Sequence, residues 1–366
     1  MRIAIMGIRG IPANYGGYET FAEELAPRLV QRGHEVTVYC RTNNVKYPEQ
    51  FYKGVRLVKL PTISHKYLDT PVHTLLSVLH SLFCRYDVIL MCNAANAIFT
   101  IIPRLRGVKV VLNVDGIERL RKKWNRLGQN WYLISEWLAT KLPNAIVADA
   151  RVIQEYYREK YGVASVMIPY GANITKVKST QVLERFGLKP QRYILYVSRL
   201  EPENNAHIVI QAFKQVKTDL KLALVGDAPY AISYKAYLKQ LAKDDPRIVM
   251  TGFVFGEGYK ELQSHAYCYV QATEVGGTHP ALVEAMGFGN LVIANGTPEN
   301  EEVVGDAGLI YRKNDVADLA AKLQWVVDHP AELGKYRQAA VDRVRNNYSW
   351  DMVTEAYEKL FRELTA

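Results

Sequence analysis

The residues best suited to chemistry lie in one run of the C-terminal half, from Glu274 through Gly276, Gly277, Thr278, His279 and Pro280 to Glu284. A glycine pair lets the backbone come close to a ligand, Pro280 fits the first turn of a helix, and the exposed N–H groups of that turn favour an anion. Such a run is a cradle for phosphate. Glu284 falls about one turn in, where a bare carboxylate repels an anion but accepts hydrogen bonds from hydroxyls, such as those of a ribose. The competing reading is a capped core helix behind a glycine turn, so other motifs must decide.

A second group follows the apolar run 193–197. Arg199 offers a planar fork suited to a diphosphate, and Asn204 can donate without charge. Gly226 with Asp227, and the stretch from Thr251 to Val254, mark further strand ends expected on the same side of a sheet. For Asp227, turn chemistry is the expectation rather than ligand contact. Near the N-terminus, Gly16 and Gly17 precede a helix expected to begin near Tyr18 or Glu19. They suit phosphate approach, sugar contact or a plain turn. The junction from Gly7 to Gly17 lacks the GxGxxG spacing, which disfavours a dinucleotide-dependent oxidoreductase. Asp115, at the end of the run 112–115, is placed to orient an acceptor hydroxyl or act as a base, or to cap the following basic helix.

Positioning these groups falls to alternating strands and helices. Apolar runs at 3–6, 35–39, 55–60, 88–91, 108–113 and 145–148 flank an amphipathic stretch at 20–32. That is βαβ grammar, and it predicts a first domain with six or seven parallel strands. A Pro/Gly break at 166–171 and a polar stretch at 172–181 read as a linker. Five more runs, at 193–197, 220–225, 248–250, 267–270 and 291–294, predict a second α/β domain. Ser349 reads as the N-cap of a last helix reaching about Leu364. The expected division is therefore 1–172, 173–348 and a tail at 349–366 that crosses back to the first domain.

The chain has 366 residues, 49% of them apolar and 23% charged, which describes a soluble globular protein of two domains. No run of eighteen apolar residues occurs, and the first residues read as a strand entering a glycine turn, neither a signal peptide nor a membrane span. Cys40, Cys84, Cys92 and Cys268 have no metal-ligand spacing and fit reduced thiols of a cytosolic protein. No DxD or His/Asp cluster suggests a bound metal, and no cofactor is expected. The positive charge is uneven. Residues 1–172 hold 23 Lys and Arg against 13 acids, a surplus of ten, whereas 173–366 hold 23 against 24. The surplus peaks at Arg119, Arg121, Lys122, Lys123 and Arg126, with Trp124, Trp131 and Trp137 interleaved. This segment suits an anionic membrane surface or an acceptor, unless it is a solvated helix face with core tryptophans. No nucleic-acid module is present, so nucleic acid is not an expected partner.

In combination, these motifs resemble the family 4 glycosyltransferases of the GT-B fold, in which two Rossmann-like domains face an interdomain cleft. The resemblance covers essentially the whole chain. Tyr196 to Glu203 is similar to the family's GRL-x-x-E-K-G segment, Val225 to Asp227 to its V-G-x-G segment, and Gly276 to Glu284 to its E-x7-E loop and helix. The opening Gly7 to Thr20, with Asp115 to Glu118, resembles a bacterial subgroup of rhamnosyltransferases in surface polysaccharide assembly. The resemblance implies a retaining transfer of sugar from a nucleotide sugar to a saccharide or lipid-linked saccharide, at the inner membrane face. It gives Arg199 the donor diphosphate, Glu284 the ribose hydroxyls, and Gly276, Gly277 and Thr278 the sugar and phosphate. Rhamnose from dTDP-rhamnose is a compatible donor. Two departures stand out: Gly276 replaces the first glutamate of E-x7-E, and Asn204 replaces a lysine. Rival readings are a nucleotide-sugar epimerase, a phosphorolytic enzyme and a non-catalytic nucleotide-sugar-binding subunit.

Overall fold

A computed structural model describes residues 1–65, 67–121 and 124–366, and its contacts divide the chain into two compact units. The first takes Met1–Leu120, Trp124–Tyr170 and Trp350–Ala366; the second takes Gly171–Ser349 together with Arg121.

The sheet of the first unit holds β1 (Arg2–Met6), β2 (Glu35–Arg41), β3 (Phe51–Tyr52), β4 (Val55–Leu60), β5 (Val88–Cys92), β6 (Lys109–Asn113), β7 (Ala145–Ala148) and β8 (Val166–Met167). Their order is β3-β4-β2-β1-β5-β6-β7-β8. All pairs are parallel except β3 with β4. The sheet thus has eight strands rather than six or seven. The extra one, β3, is a two-residue hairpin edge with no apolar run to announce it. Strands such as β5, buried along its whole length, read as unbroken apolar runs because helices cover both faces of a parallel sheet.

The final helix, Trp350–Thr365, packs within this first unit. Its Tyr357 ring lies 5.4 Å from that of Phe21, and Tyr357 accepts a 2.8 Å hydrogen bond from Asn113 Nδ2. Burying Tyr357 and Phe361 contributes about 1.5–3 kcal/mol each.

The second unit holds β9 (Tyr193–Val197), β10 (Lys221–Val225), β11 (Ile248–Gly252), β12 (Cys268–Gln271), β13 (Val292–Asn295) and β14 (Leu309–Tyr311) in the order β11-β10-β9-β12-β13-β14, all parallel. The short β14 is not legible as a separate run. Strand order reverses between β9 and β12 here, and between β1 and β5 in the first unit. Ligands of open α/β sheets bind outside the carboxyl ends of the strands at such points.

Candidate functional site

In the second unit the two motifs with the strongest chemistry leave the two strands that flank the reversal. Arg199 is two residues past the end of β9. The Gly276 loop follows β12 and opens the helix Pro280–Gly287, whose N-cap is His279. The strand ends are closely fitted. Gly226 has φ 136°, and a Cβ there would lie 1.8 Å from the Ser198 carbonyl oxygen, so only glycine lets the β10 exit pass β9. Asp227 holds Lys235 at 2.7 Å and accepts from the Ala228 N–H, which is turn chemistry. Val254, just past β11, is half-buried and packs in the core beneath.

Asn204 does not present its amide to a ligand. Its Nδ2 donates to the Arg199 carbonyl at 2.6 Å, and its own carbonyl accepts from Tyr196 at 2.7 Å. Asn204 therefore braces the loop that carries Arg199. Glu284 accepts a 2.6 Å hydrogen bond from Tyr259, which in turn accepts from Gln263 Nε2 at 2.9 Å. The carboxylate is oriented by a buried phenol whose own ionisation is suppressed, first by burial and then by Glu284.

Gly277 and Thr278 are buried in the loop, and Gly276 is half-buried. The imidazole of His279 fills the space a residue-276 side chain would enter, with Cε1 2.4 Å from the position of a Gly276 Cβ. Its Nε2 is sealed from solvent without a hydrogen-bond partner. Burial, then the Arg121 and Arg199 guanidiniums, push its pKa down to about 3, so the ring is neutral.

Sequence reasoning missed the lattice that holds the loop. Asn314 Nδ2 donates to Glu274 at 2.5 Å, while Asn314 Oδ1 accepts from Asn205 at 2.9 Å and Asn295 at 2.8 Å. Asn205 and Asn295 also donate to the Ala272 carbonyl. The signal available was the recurrence of asparagine at the end of β13 and beyond the ends of β9 and β14. With this partner Glu274 belongs to the frame of the site. Glu203, fully buried, lies 3.8 Å from Arg121.

In the first unit, Gly16 is extended rather than left-handed, and Gly17 is the first residue of the helix Gly17–Gln31. The glycines that the β1 exit requires are Gly7 and Gly10, with φ 84° and 117°, each pressed on a neighbouring strand end: Gly7 on Cys92, Gly10 on Cys40. Arg9 in this loop stacks 3.4 Å over the Tyr15 ring and donates its backbone N–H to Glu19. Asp115 has φ 53°, a left-handed conformation that Asp tolerates better than most residues, and its N–H donates to Asn113 Oδ1 at 3.1 Å. A further buried pair was not foreseen: Arg41 donates to Asp69 at 2.6 Å, with Arg9 3.7 Å from the same oxygen.

The basic segment differs from a uniform charged surface. Arg119 lies 3.2 Å from Glu136 and donates to Tyr156, Arg121 is buried, and Trp124 donates to Glu118 at 3.2 Å. Lys122 and Lys123 lie outside the described residues. Among the described residues no helix is long and apolar enough to cross a membrane.

With this geometry in place, likeness to known proteins is informative. Residues 191–329 match the family of glycosyl transferases group 1, and residues 1–173 match a domain of unknown function, DUF1972. The O-antigen chain mannosyltransferase B of Escherichia coli is 29% identical over 150 residues, 39% of this chain and 38% of that protein. The match thus spans well under half the length of that relative. The glycogen synthase of Mycobacterium tuberculosis is 23% identical across 99% of this chain and 94% of its own. HepE of Anabaena, solved in complex with UDP and glucose, superposes with a TM-score of 0.82 at 17% identity, covering 99% of this chain and 100% of that one. The two parallel α/β units are those of the GT-B fold. Residues 191–329, which carry Arg199 and the Gly276–Glu284 loop and helix, are thus a glycosyl transferases group 1 domain.

Proposed function

We propose that the chain transfers a sugar, with retention at the anomeric carbon, from a nucleotide sugar to a saccharide or lipid-linked saccharide, and that rhamnose from a dTDP-sugar is the donor to test first. The observation that carries this reading is the pairing of Arg199 with the Gly276–Glu284 loop and helix on either side of the β9/β12 reversal. In this reading Arg199 and the loop N–H groups take up the charge of the departing diphosphate, with no metal supplying it. Glu284, oriented by Tyr259, accepts hydrogen bonds from the ribose hydroxyls. Asp115 orients the acceptor hydroxyl, whose proton passes to the leaving diphosphate oxygen as the new glycosidic bond forms. A lipid-linked acceptor would bring the chain to the cytoplasmic face of a membrane.

Support for the donor class comes from the relatives: a mannosyltransferase of O-antigen assembly and a fold neighbour bound to UDP and glucose. The neutral His279, filling the place of a carboxylate at position 276, supports a less polar sugar pocket than a glutamate would make. A thermal-shift panel of UDP, GDP and dTDP sugars tests the reading. A rise of several degrees for dTDP-rhamnose alone supports it, a rise only for a UDP or GDP sugar replaces the donor, and no rise for any overturns it.

A further inference from the structure

The helix Arg126–Ala139 is built inside out. Its buried residues are Gly128, Tyr132, Ser135, Glu136 and Ala139, whereas Leu127, Trp131, Ile134 and Trp137, at i, i+4, i+7 and i+10, face solvent. That spacing is a continuous stripe along one face of a helix. Leu127 is 78% exposed, and Ile134 and Trp137 are each 52% exposed. A soluble helix normally turns such a stripe inward.

Rotation of the helix would not relieve this exposure. Glu136, on the inner face, accepts from Tyr156 at 2.7 Å and Tyr161 at 3.0 Å, and pairs with Arg119 at 3.2 Å and Lys160 at 3.3 Å. Turning the stripe inward would strip a buried carboxylate of four partners, which costs several kcal/mol. The N-terminus is fixed as well, since Asn125 accepts from the Gly128 N–H at 3.0 Å. The fold therefore holds the apolar face outward.

The charge around the stripe selects the partner. Arg126 and Lys141, at the two ends of the helix, are exposed, and so are Arg104 and Arg106. Arg104 donates to the Leu142 carbonyl, which places the 101–106 segment beside the C-terminal end of the helix. Leu105, between these two arginines, is 80% exposed. The segments 94–107 and 126–141 contain a single acid, Glu136, and it is turned inward. Apolar side chains, two tryptophans and a rim of cations without anions match the headgroup boundary of an anionic bilayer. A second copy of the chain would set like charges against each other.

We propose that this face, the outward stripe of Arg126–Ala139 with Arg104, Leu105, Arg106 and Lys141, is a docking surface for an anionic lipid bilayer. The surface stands apart from the donor reading, although a lipid-linked acceptor would give it a use. The test is co-sedimentation of the full chain with phosphatidylcholine vesicles, with and without phosphatidylglycerol. Calorimetric nucleotide-sugar binding serves as the control for folding and for the donor site. Wild type should bind the anionic vesicles with a blue shift of tryptophan emission. A triple variant, Trp131→Ser with Ile134→Ser and Trp137→Ser, should bind more than about tenfold more weakly. Arg106→Ser with Lys141→Ser should lose the preference for anionic lipid. The charge variant should keep the wild-type melting temperature, because Arg106 and Lys141 are exposed, and the triple variant, whose side chains are about half-exposed, should lose a few degrees at most while keeping nucleotide-sugar binding. Wild type remaining in the supernatant, or a triple variant sedimenting like wild type, would overturn the proposal. A dimer that the triple variant dissolves would also overturn it, assigning the face to a second copy.

Discussion

A side chain on Gly276 and the imidazole of His279 compete for one space: a Gly276 Cβ would lie 2.4 Å from His279 Cε1. The glycine and the histidine are thus one feature. Gly276→Ala should lower stability by about 1–2 kcal/mol, the usual cost of overpacking, and weaken nucleotide-sugar binding. Gly276→Ala combined with His279→Gly should restore much of the stability. A double-mutant cycle by chemical denaturation measures the coupling, and strict additivity would mean that the two do not share the space.

On the proposed reading, Tyr259 acts on ligand through Glu284, to which it donates. Tyr259→Phe removes the 2.6 Å hydrogen bond and leaves the carboxylate to reorient. Nucleotide-sugar affinity should fall by about three- to tenfold, in line with one hydrogen bond to a charged group. Calorimetry checks this. An unchanged affinity, with the phenol gone and the fold intact, would separate Tyr259 from the site.

Two neutral histidines make the chain less stable in acid. Burial comes first for both and lowers His73 to about 4 and His279 to about 3, against 6.5 for the free side chain. Unfolding releases each to take a proton below 6.5. Their stabilisation is therefore complete above 6.5 and declines as pH falls toward 4 and 3. Chemical denaturation should give a loss of about 2 kcal/mol per histidine between about pH 7 and pH 5. His73→Gln should flatten that slope.

The C-terminal helix is tied to the first unit by Glu358. Hydrogen bonds from Arg362 and then Arg32 pull its pKa down to about 2, with His34 3.0 Å away. A depressed carboxylate stabilises above its unfolded pKa, near 4.5, and loses that contribution as pH falls through about 2. Glu358→Gln should cost about 1 kcal/mol at neutral pH, given the partial solvent screening of this cluster. Denaturation near pH 2 should no longer distinguish the variant from wild type.

What could be read from the residues follows a physical division. Strands β1, β5, β9 and β12 were legible because parallel strands covered on both faces are continuous apolar runs. The edge strand β3 and the short β14 were not, since two or three residues carry no period. The placement of Arg199 and the Gly276 loop beyond strand ends, and of Glu284 in the helix that follows, was legible because apolar runs broken by glycine and proline mark such junctions. The asparagine lattice around Glu274 was hidden, as its members lie on four separate segments joined only by folding. Asn204 read as a free donor, yet its amide is taken by the Arg199 carbonyl. The cations at 119 and 121 read as surface charge for a similar reason: sequence reports that a side chain is charged, and only the fold reports that Glu136 or Glu203 already faces it.

The central claim is that Arg199 and Glu284 hold a nucleotide sugar, and titration calorimetry with the donor found by the thermal-shift panel tests it most directly. Arg199→Ala should weaken binding by about 10- to 100-fold and Glu284→Ala by about tenfold, with melting temperatures close to wild type. Equal affinity for wild type and both variants would contradict the account.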